Sequence, residues 1–343
     1  MLQNQMESIP LSSLERVNRP GGLATADLLD FLIHPRDYTV DMSDDESPDI
    51  MCDDIPQEVV QLGEEAVRRG EVAFCVLSGG VGTRVGMSKA FLKTPGTKTS
   101  LIGLKMLQSD GYADVWIMSS PANHDALVRE KIVRERRAKI FQQYESFRLR
   151  PDNTLYFSDG SPSMHPCGHG DVVSALKHSG LLYEFLARGG KYIVTVNVDN
   201  LYAAPDPRLI GQHIVSRKPV TCEVVRHQPC DVGGVLCMHD GFRQIVEKFR
   251  LSGQTDPDSY SWLSTNSMIF DAGLDFDAIK WSWHRVKKQV DGELVIQYER
   301  LMQDMTSHFQ TQFIGVKRET RYVPIKTPED IKTVAHILCK NVA

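Results

Sequence analysis

A short apolar segment that runs directly into a glycine-rich loop is the feature that most constrains the fold of this chain. Its sequence is Phe74-Cys75-Val76-Leu77-Ser78-Gly79-Gly80-Val81-Gly82-Thr83-Arg84-Val85-Gly86. Glycine has no Cβ, so several backbone N–H groups of such a loop can approach one ligand, and phosphate oxygens suit them as acceptors. A helix that starts after the loop would add partial positive charge. Four glycines and an arginine in one loop favour phosphate binding over a turn used only for packing.

The spacing of these glycines excludes two common nucleotide-binding motifs. A dinucleotide fingerprint, Gly-x-Gly-x-x-Gly, would need a third glycine where this chain has Val85. A P-loop needs Gly-Lys-Ser/Thr after four intervening residues, which this segment lacks. An NAD-dependent oxidoreductase is therefore a disfavoured alternative.

Composition bounds the class of protein. The 343 residues are 41% hydrophobic and 24% charged, as in ordinary soluble domains, and the net charge of −5 argues against a general nucleic-acid binder. No apolar run approaches the ~20 residues that span a bilayer. The seven cysteines include no Cys-x-x-Cys pair, and the N-terminus lacks the features of a secretory signal. These observations predict a protein of the reducing cytoplasm that needs no membrane partner.

Alternating strand and helix patterns predict an α/β fold with a mostly parallel sheet covered by helices on both faces. The predicted strands are 73–77, 114–118, 192–198, 220–226 and 268–270. The predicted helices are 57–69, 101–108, 123–141, 172–186 and 207–216. Residues 1–55 form a predicted accessory segment, with a short helix near 27–32 and a solvated acidic linker over 41–54. The main domain is predicted to span 56–343.

An aspartate follows the most apolar of these strands. Asp199 stands in the segment Asn197-Val198-Asp199-Asn200-Leu201, directly after Tyr192–Val196. Ligands of parallel α/β sheets bind at the carboxyl ends of the strands, and a carboxylate there can hold Mg²⁺ against phosphate oxygens. A polar turn that only ends the strand is the alternative. We predict that Asp199 is a magnesium ligand.

The loop pattern Leu-x-Gly-Gly-x-Gly-Thr-Arg-x-Gly, followed by Lys89, resembles that of the UDP-glucose pyrophosphorylase (UTP–glucose-1-phosphate uridylyltransferase) family. Similar segments extend over roughly residues 60–335. The resemblance implies a glycosyltransferase-A-like, Rossmann-like core, with a nucleotide half near 56–205 and a sugar half near 206–343. It also implies a sugar-1-phosphate nucleotidylyltransferase, which joins an NTP to a sugar-1-phosphate or a cyclitol-1-phosphate and releases pyrophosphate.

The resemblance further implies roles for individual residues. Arg84, Lys89 and Lys326 match catalytic positions, although Ser88 replaces the proline that usually precedes the first lysine, so Lys93 and Lys98 compete with Lys89. The implied nucleotide-binding residues are Leu77, Gly79, Gly80, Gly82, Thr83, Met118, Gly168 and His169. The implied sugar-binding residues are Gly234, Glu247 and Asn266. The family's Asn-x-Asp-Asn segment matches Asp199 as the metal ligand.

The segment His165-Pro166-Cys167-Gly168-His169-Gly170-Asp171 carries two of these implied residues. It is similar to the family's Pro-Pro-Gly-His-Gly-Asp, except for Cys167. A zinc site on His165, Cys167 and His169 is disfavoured, because no second ligand cluster completes it.

The nucleobase stays open at this stage. The alignment places Asp159 where uridine enzymes have a base-reading glutamine, which offers both a donor and an acceptor to uracil. An aspartate only accepts, which suits the adjacent N1–H and N2–H₂ donors of guanine. UTP is expected from the family and GTP from Asp159. A non-catalytic sugar-nucleotide-binding regulator on the same fold is a further alternative, and the oligomeric state is open.

Overall fold

A mixed sheet of eleven strands forms the centre of the molecule. The computed structural model describes residues 44–80, 88–94, 99–229, 231–252, 256–279 and 281–325, together with the isolated positions 9, 13, 14, 17, 40 and 330. The strands within these residues are β1 (Asp44–Asp45), β2 (Ile50–Met51), β3 (Val72–Leu77), β4 (Asp114–Ser119), β5 (Lys139–Gln142), β6 (Glu145–Phe147), β7 (Phe157–Ser158), β8 (Ser161–Pro162), β9 (Met164–Pro166), β10 (Tyr192–Asn197), β11 (Val220–Arg226), β12 (Gly234–His239), β13 (Phe242–Glu247), β14 (Trp262–Asp271), β15 (His284–Val290), β16 (Glu293–Glu299) and β17 (Thr311–Val316).

Within residues 44–325 the α-helices lie between these strands and after the last of them. They are α1 (Gln57–Arg68), α2 (Leu101–Gln108), α3 (His124–Arg129), α4 (Lys131–Glu135), α5 (Val172–Ser179), α6 (Leu181–Ala187), α7 (Pro207–Ser216) and α8 (Arg318–Arg321). No helix of the described ranges is long and apolar enough to cross a membrane.

The main row of the sheet has the order β2-β17-β11-β14-β10-β3-β4-β5. Neighbours in this row are parallel, except that β14 is antiparallel to both β10 and β11. The hairpin β12–β13 joins the row through β14, and β1 pairs with β12. The predicted α/β fold with a mostly parallel sheet is confirmed.

Helices cover both faces of the sheet, as the alternating side chains of β3 illustrate. Ala73 and Cys75 pack in the same buried cluster as residues of α5 and α6, including Phe185. Phe74 and Val76 point to the opposite face, where they share a cluster with residues of α2, α3 and α4. Because β3 is buried on both faces, its sequence is a continuous apolar run rather than an alternating one.

Two predicted helices differ from the structure. The predicted helix 123–141 is wrong at its C-terminal end, because α3 and α4 end by Glu135 and the chain then enters β5. Arg137, with a φ of 52°, makes the turn between them. The predicted helix 172–186 is divided into α5 and α6 at Gly180, whose φ of +81° ends the first helix. The predicted bounds of α2 and α7 are confirmed.

The acidic linker predicted over residues 41–54 is wrong for the part that the structure describes. Strand β2 pairs with β17 in the main sheet. The Asp49 carboxylate accepts a hydrogen bond from the backbone N–H of Phe313 at 2.8 Å and pairs with Arg243 at 2.8 Å. This part of the segment therefore packs against the sheet, because β2 pairs with it and the Asp49 carboxylate finds donors there. The helix predicted near 27–32 lies outside the described residues.

Helices α1 and α7 contact each other through two glycines. A Cβ atom on Gly63 would lie 2.0 Å from the carbonyl oxygen of Pro207, and one on Gly211 would lie 1.9 Å from that of Val59. Neither obstacle is a flexible side chain, so the two backbones approach as closely as glycine allows.

The variant Gly63→Ala is expected to lower the melting temperature, because the added methyl group must push α7 away from α1. Overpacking of this kind costs about 1–3 kcal/mol in the free energy of unfolding. The control is Gly273→Ala, where an added Cβ meets no atom within 4 Å. Thermal unfolding of both variants tests this contact, and equal melting temperatures would contradict it.

Candidate active site

A cavity of about 290 Å³ opens at the carboxyl ends of β3, β4 and β10. This is the edge of the sheet where the sequence predicts ligand binding. The predicted site residues that line it are Leu77, Gly79, Gly80, Lys89, Met118, Gly168, His169 and Asp199. Five other residues of the sequence analysis lie outside the described residues: Gly82, Thr83, Arg84, Lys98 and Lys326. The structure thus gathers residues from four separate segments of the predicted nucleotide half around one cavity.

Lys89 and Asp199 form an ion pair at this cavity. Lys89 Nζ lies 2.6 Å from Asp199 Oδ2, and each side chain keeps about a fifth of its surface exposed, 22% and 23%. Lys89 belongs to a short 3₁₀ turn, Lys89–Phe91, whereas the competing Lys93 is exposed and does not line the cavity. The predicted catalytic lysine and the predicted metal ligand are therefore direct neighbours.

The loop that follows β10 is bound to residues 321–325. Ile325 N–H donates to the backbone oxygen of Asp199 at 2.8 Å. The Asn200 side chain accepts from Val323 N–H at 3.0 Å and donates to the backbone oxygen of Arg321 at 3.0 Å. These hydrogen bonds fix the backbone that leads up to position 326 against the loop that carries Asp199.

His169 faces the cavity as a neutral hydrogen-bond donor. Its Nδ1 atom accepts from the backbone N–H of Met302 at 3.0 Å, so the ring proton resides on Nε2. Burial lowers the pKa of His169 to about 4, which keeps the ring uncharged near neutral pH. Gly168 precedes it with a φ of +96°, and a Cβ there would lie 2.4 Å from the carbonyl oxygen of Arg300. Only glycine fits at this position, so the backbone sets the direction of His169.

The structure does not support the base-reading role predicted for Asp159. Asp159 lies at the exposed tip of the β7–β8 hairpin, with a φ of 50°, and it does not line the cavity. Such a hairpin turn favours a small polar residue for conformational reasons. Gln143 lines the cavity instead, directly after β5, with its backbone N–H bonded to Ser119 O at 2.9 Å. A Cβ on Gly79 would lie 1.6 Å from Gln143 Nε2, so this amide lies against the start of the glycine-rich loop.

A second wall of the cavity comes from strands that the sequence reasoning did not associate with the site. Arg148 Nε donates to the Gln297 side-chain oxygen at 2.7 Å, and the Gln297 amide donates to Glu299 Oε1 at 3.1 Å, with the amide in the orientation that satisfies both contacts. Lys288 Nζ lies 3.6 Å from the same Glu299 oxygen. All four side chains line the cavity. No local motif identifies them, because the β15–β16 hairpin reaches the cavity only through the tertiary fold.

The three predicted sugar-binding residues do not line this cavity. Gly234 and Glu247 are paired neighbours in the β12–β13 hairpin, and the Gln303 amide donates to Glu247 Oε1. Asn266 has a φ of 60° within β14. It lies two residues before Met268, which pairs with Thr195 of β10. Because the two strands are antiparallel, Asn266 and Asn197 both lie beyond this pair, at the end of the sheet where the cavity opens.

The site suits a metal ion that arrives with a nucleotide. No group of three or more His, Cys, Asp or Glu side chains that could hold a metal occurs in the part of the chain that the structure describes. Magnesium commonly uses only one or two protein carboxylates and takes its remaining ligands from water and substrate phosphates. Asp199 offers one such carboxylate at the edge of the cavity. The zinc site on His165, Cys167 and His169 stays disfavoured, because His169 Nδ1 is occupied by Met302 N–H.

Comparison with known proteins identifies similar sequences. The family model of the UTP–glucose-1-phosphate uridylyltransferases matches residues 52–342. The uridylyltransferase of Encephalitozoon cuniculi is 26% identical over 307 residues, which cover 82% of this chain and 61% of that protein. That of Pyrus pyrifolia is 27% identical and covers 81% and 64%. UDP-N-acetylglucosamine diphosphorylase 2 of Arabidopsis thaliana is 26% identical and covers 78% and 63%. The chain thus spans between three-fifths and two-thirds of the length of these curated relatives.

Solved structures share the fold. UDP-glucose phosphorylase from Trypanosoma brucei superposes with a TM-score of 0.76 at 22% identity, over 94% of this chain and 77% of that chain. A UDP-glucose pyrophosphorylase variant from Leishmania major, in complex with UDP-glucose, has a TM-score of 0.71 at 20% identity, over 89% and 73%. At these identities the superpositions establish a common architecture.

Proposed function

Because the chain belongs to the UTP–glucose-1-phosphate uridylyltransferase family, we propose that it is a sugar-1-phosphate nucleotidylyltransferase. It would form an NDP-sugar and pyrophosphate from an NTP and a sugar-1-phosphate. The observation that carries this proposal is the Lys89–Asp199 pair, which lies in one cavity with the start of the glycine-rich loop. A non-catalytic nucleotide-binding regulator would need neither charged residue.

The reaction requires positioning and charge stabilisation rather than a general base. A phosphate oxygen of the sugar-1-phosphate is already anionic, and it attacks the α-phosphorus of the NTP. A new P–O bond forms there, while the bond to the bridging oxygen breaks and pyrophosphate leaves with the electron pair. The protein must bring two polyanions together and stabilise the charge of the transition state.

Three groups of the cavity suit this task. Lys89 supplies a positive charge at its edge, and His169 supplies a neutral Nε2–H donor. The backbone at Gly79 and Gly80 carries no side chain that would keep phosphates away. We infer that these groups bind the triphosphate, with Arg84 and Lys326 as expected partners from the family resemblance.

Magnesium belongs to this proposal as a cofactor. When bound, the ion would neutralise phosphate charge. Asp199 is the residue that would hold it, since its carboxylate lies at the cavity and magnesium needs few protein ligands. Lys89, which pairs with Asp199 in this structure, would then be free to contact the nucleotide phosphates.

We propose UTP as the nucleotide. The support is Gln143, whose amide presents both a donor and an acceptor to the cavity and so matches the N3–H and O4 edge of uracil. Relatives are named for glucose-1-phosphate and for N-acetylglucosamine, so a hexose-1-phosphate is the proposed second substrate. The described cysteines are buried and form no disulfide with one another, which suits the reducing cytoplasm proposed as the compartment.

Pyrophosphate release tests the proposed activity directly. The purified protein would be incubated with each of four NTPs and with glucose-1-phosphate or N-acetylglucosamine-1-phosphate. We expect release with UTP and at least one of these sugars. Tight nucleotide binding without any release would favour the regulator instead.

The variant Gln143→Ala is expected to lower kcat/KM for UTP about tenfold to a hundredfold, because a buried base edge loses hydrogen bonds worth about 1–3 kcal/mol. The matched change Asp159→Ala should leave kcat/KM within about twofold, since surface changes away from a site are typically small. Steady-state kinetics with UTP and GTP compare the two variants. A native preference for GTP, or a loss caused by Asp159→Ala, would restore Asp159 as the base reader.

A further inference from the structure

A fully buried lysine lies beneath the loop that carries Asp199. Lys105 belongs to α2 and has 0% of its surface exposed. Its ammonium group is surrounded by backbone carbonyls of the residues that follow Asp199. Nζ donates to Asn200 O at 2.6 Å, to Ala203 O, and more weakly to Leu201 O at 3.4 Å. One side chain thus binds three carbonyls of a four-residue loop.

Gln108, one turn further along α2, adds a second side-chain contact to the same loop. Its amide nitrogen donates to Leu201 O at 3.1 Å, and its oxygen accepts from Lys105 Nζ at 3.0 Å. Residues three apart on a helix lie on the same face, so both side chains reach the loop together. The carbonyls of residues 200, 201 and 203 all receive hydrogen bonds from this face of α2.

The burial of Lys105 is costly, and packing alone does not require it. Moving an ammonium group out of water is unfavourable unless hydrogen bonds compensate, and burial lowers the pKa of Lys105 to about 7. An apolar side chain of similar length would fill the same space without that penalty. The hydrogen bonds to the loop therefore distinguish lysine from an apolar residue here.

The same loop is held from its other side by residues 321–325, through Asn200 and through Ile325 N–H on Asp199 O. We propose that Lys105 is a positioning residue. It fixes the 200–203 loop from the side of α2 and so keeps the Asp199 carboxylate at the cavity beside Lys89. This inference rests on the proposed function only for the role of Asp199. The contacts between Lys105 and the loop are independent of it.

The test compares Lys105→Met and Lys105→Arg with the control Lys191→Met. Lys191 directly precedes β10, at the opposite end of the strand from Asp199, and forms an exposed ion pair with Glu71 at 2.8 Å. Methionine keeps the length of the lysine side chain but cannot donate, whereas arginine keeps the charge and the donors. Amide hydrogen exchange of the ligand-free proteins is measured first, followed by the magnesium dependence of the rate.

We expect Lys105→Met to speed exchange about tenfold or more at Leu201 and Ile325, whose N–H groups bond Val323 O and Asp199 O, while β3 keeps its protection. The magnesium concentration for half-maximal rate should rise about tenfold to a hundredfold, as for other residues that orient a metal ligand. KM for the sugar-1-phosphate should stay nearly constant. Lys105→Arg should recover part of both effects, and Lys191→Met should show neither.

A uniform loss of protection across the sheet, with an unchanged magnesium requirement, would show that Lys105 is only structural and would overturn the proposal. If Lys105→Met does not fold, Gln108→Leu removes one donor to Leu201 O and one acceptor for Lys105 Nζ, and it must show the same pattern at smaller size. If the native protein releases no pyrophosphate, the proposed function fails. Hydrogen exchange still tests the positioning role of Lys105 in that case, because unchanged exchange at Leu201 and Ile325 would reject it.

Discussion

Asp199→Asn is expected to lower kcat by roughly a hundredfold or more at saturating UTP and sugar-1-phosphate. The substitution keeps the size of the side chain but removes its negative charge, which is the property that holds a divalent cation. Loss of one preorganised electrostatic group in an active site typically costs about 2.7–4 kcal/mol in the barrier. The rate should respond only weakly to added magnesium, because asparagine is a poor substitute for a carboxylate ligand.

The melting temperature separates this effect from unfolding. The Lys89–Asp199 pair is part-exposed, and ion pairs of that kind stabilise a fold by about 0–1 kcal/mol. Asp199→Asn should therefore unfold at nearly the native temperature. A variant that retains near-native activity at limiting magnesium would show that Asp199 is not the metal ligand.

Lys89→Met is expected to lower kcat about a hundredfold to a thousandfold, because the transition state loses a positive charge held at the cavity. The control is Lys93→Met, in the same segment but exposed and outside the cavity lining, which should stay close to native. Steady-state kinetics at saturating magnesium measure both. If Lys89→Met kept native activity and Lys93→Met were inactive, Lys93 would be the catalytic lysine.

The double variant Lys89→Met/Asp199→Asn adds a separate check on the pair. Because the two groups are in contact, their effects on kcat should be less than additive. If the fold-decrease in kcat of the double variant equals the product of the two single decreases, the lysine and the carboxylate act independently.

Much of the fold was predictable because local signals and tertiary structure agree. The apolar runs of β3 and β10 are buried on both faces. The starts of α2 and α7 follow from their N-cap residues Ser100 and Asp206, whose side chains accept backbone N–H bonds. The helix predicted over 123–141 was wrong at the residues of β5 for a local reason. The chain leaves its helix at Arg137 with a positive φ and no glycine, so the sequence carries no stop signal there.

One part of the site was placed elsewhere by the sequence. The family alignment put Asp159 at the base-reading position, whereas Gln143 lines the cavity directly after β5. Gln143 could have been found, since the pair Gln142-Gln143 directly follows the apolar pair Ile140-Phe141. Lys105 could not have been found. Its position in α2 looks like any polar helix position, and only the loop packed on it makes it buried.

The contacts that build the cavity join parts of the chain that are far apart in sequence. Lys89 and Asp199 are 110 residues apart, Lys105 and Asn200 are 95, and Asn200 and Arg321 are 121. Closing segments of this length costs chain entropy, which is offset only when many long-range contacts form together. We therefore expect the ion pair, the buried lysine and the contacts of residues 321–325 to form late in folding. A nascent chain that has not yet supplied residue 325 has every strand of the nucleotide half but no completed place for Asp199.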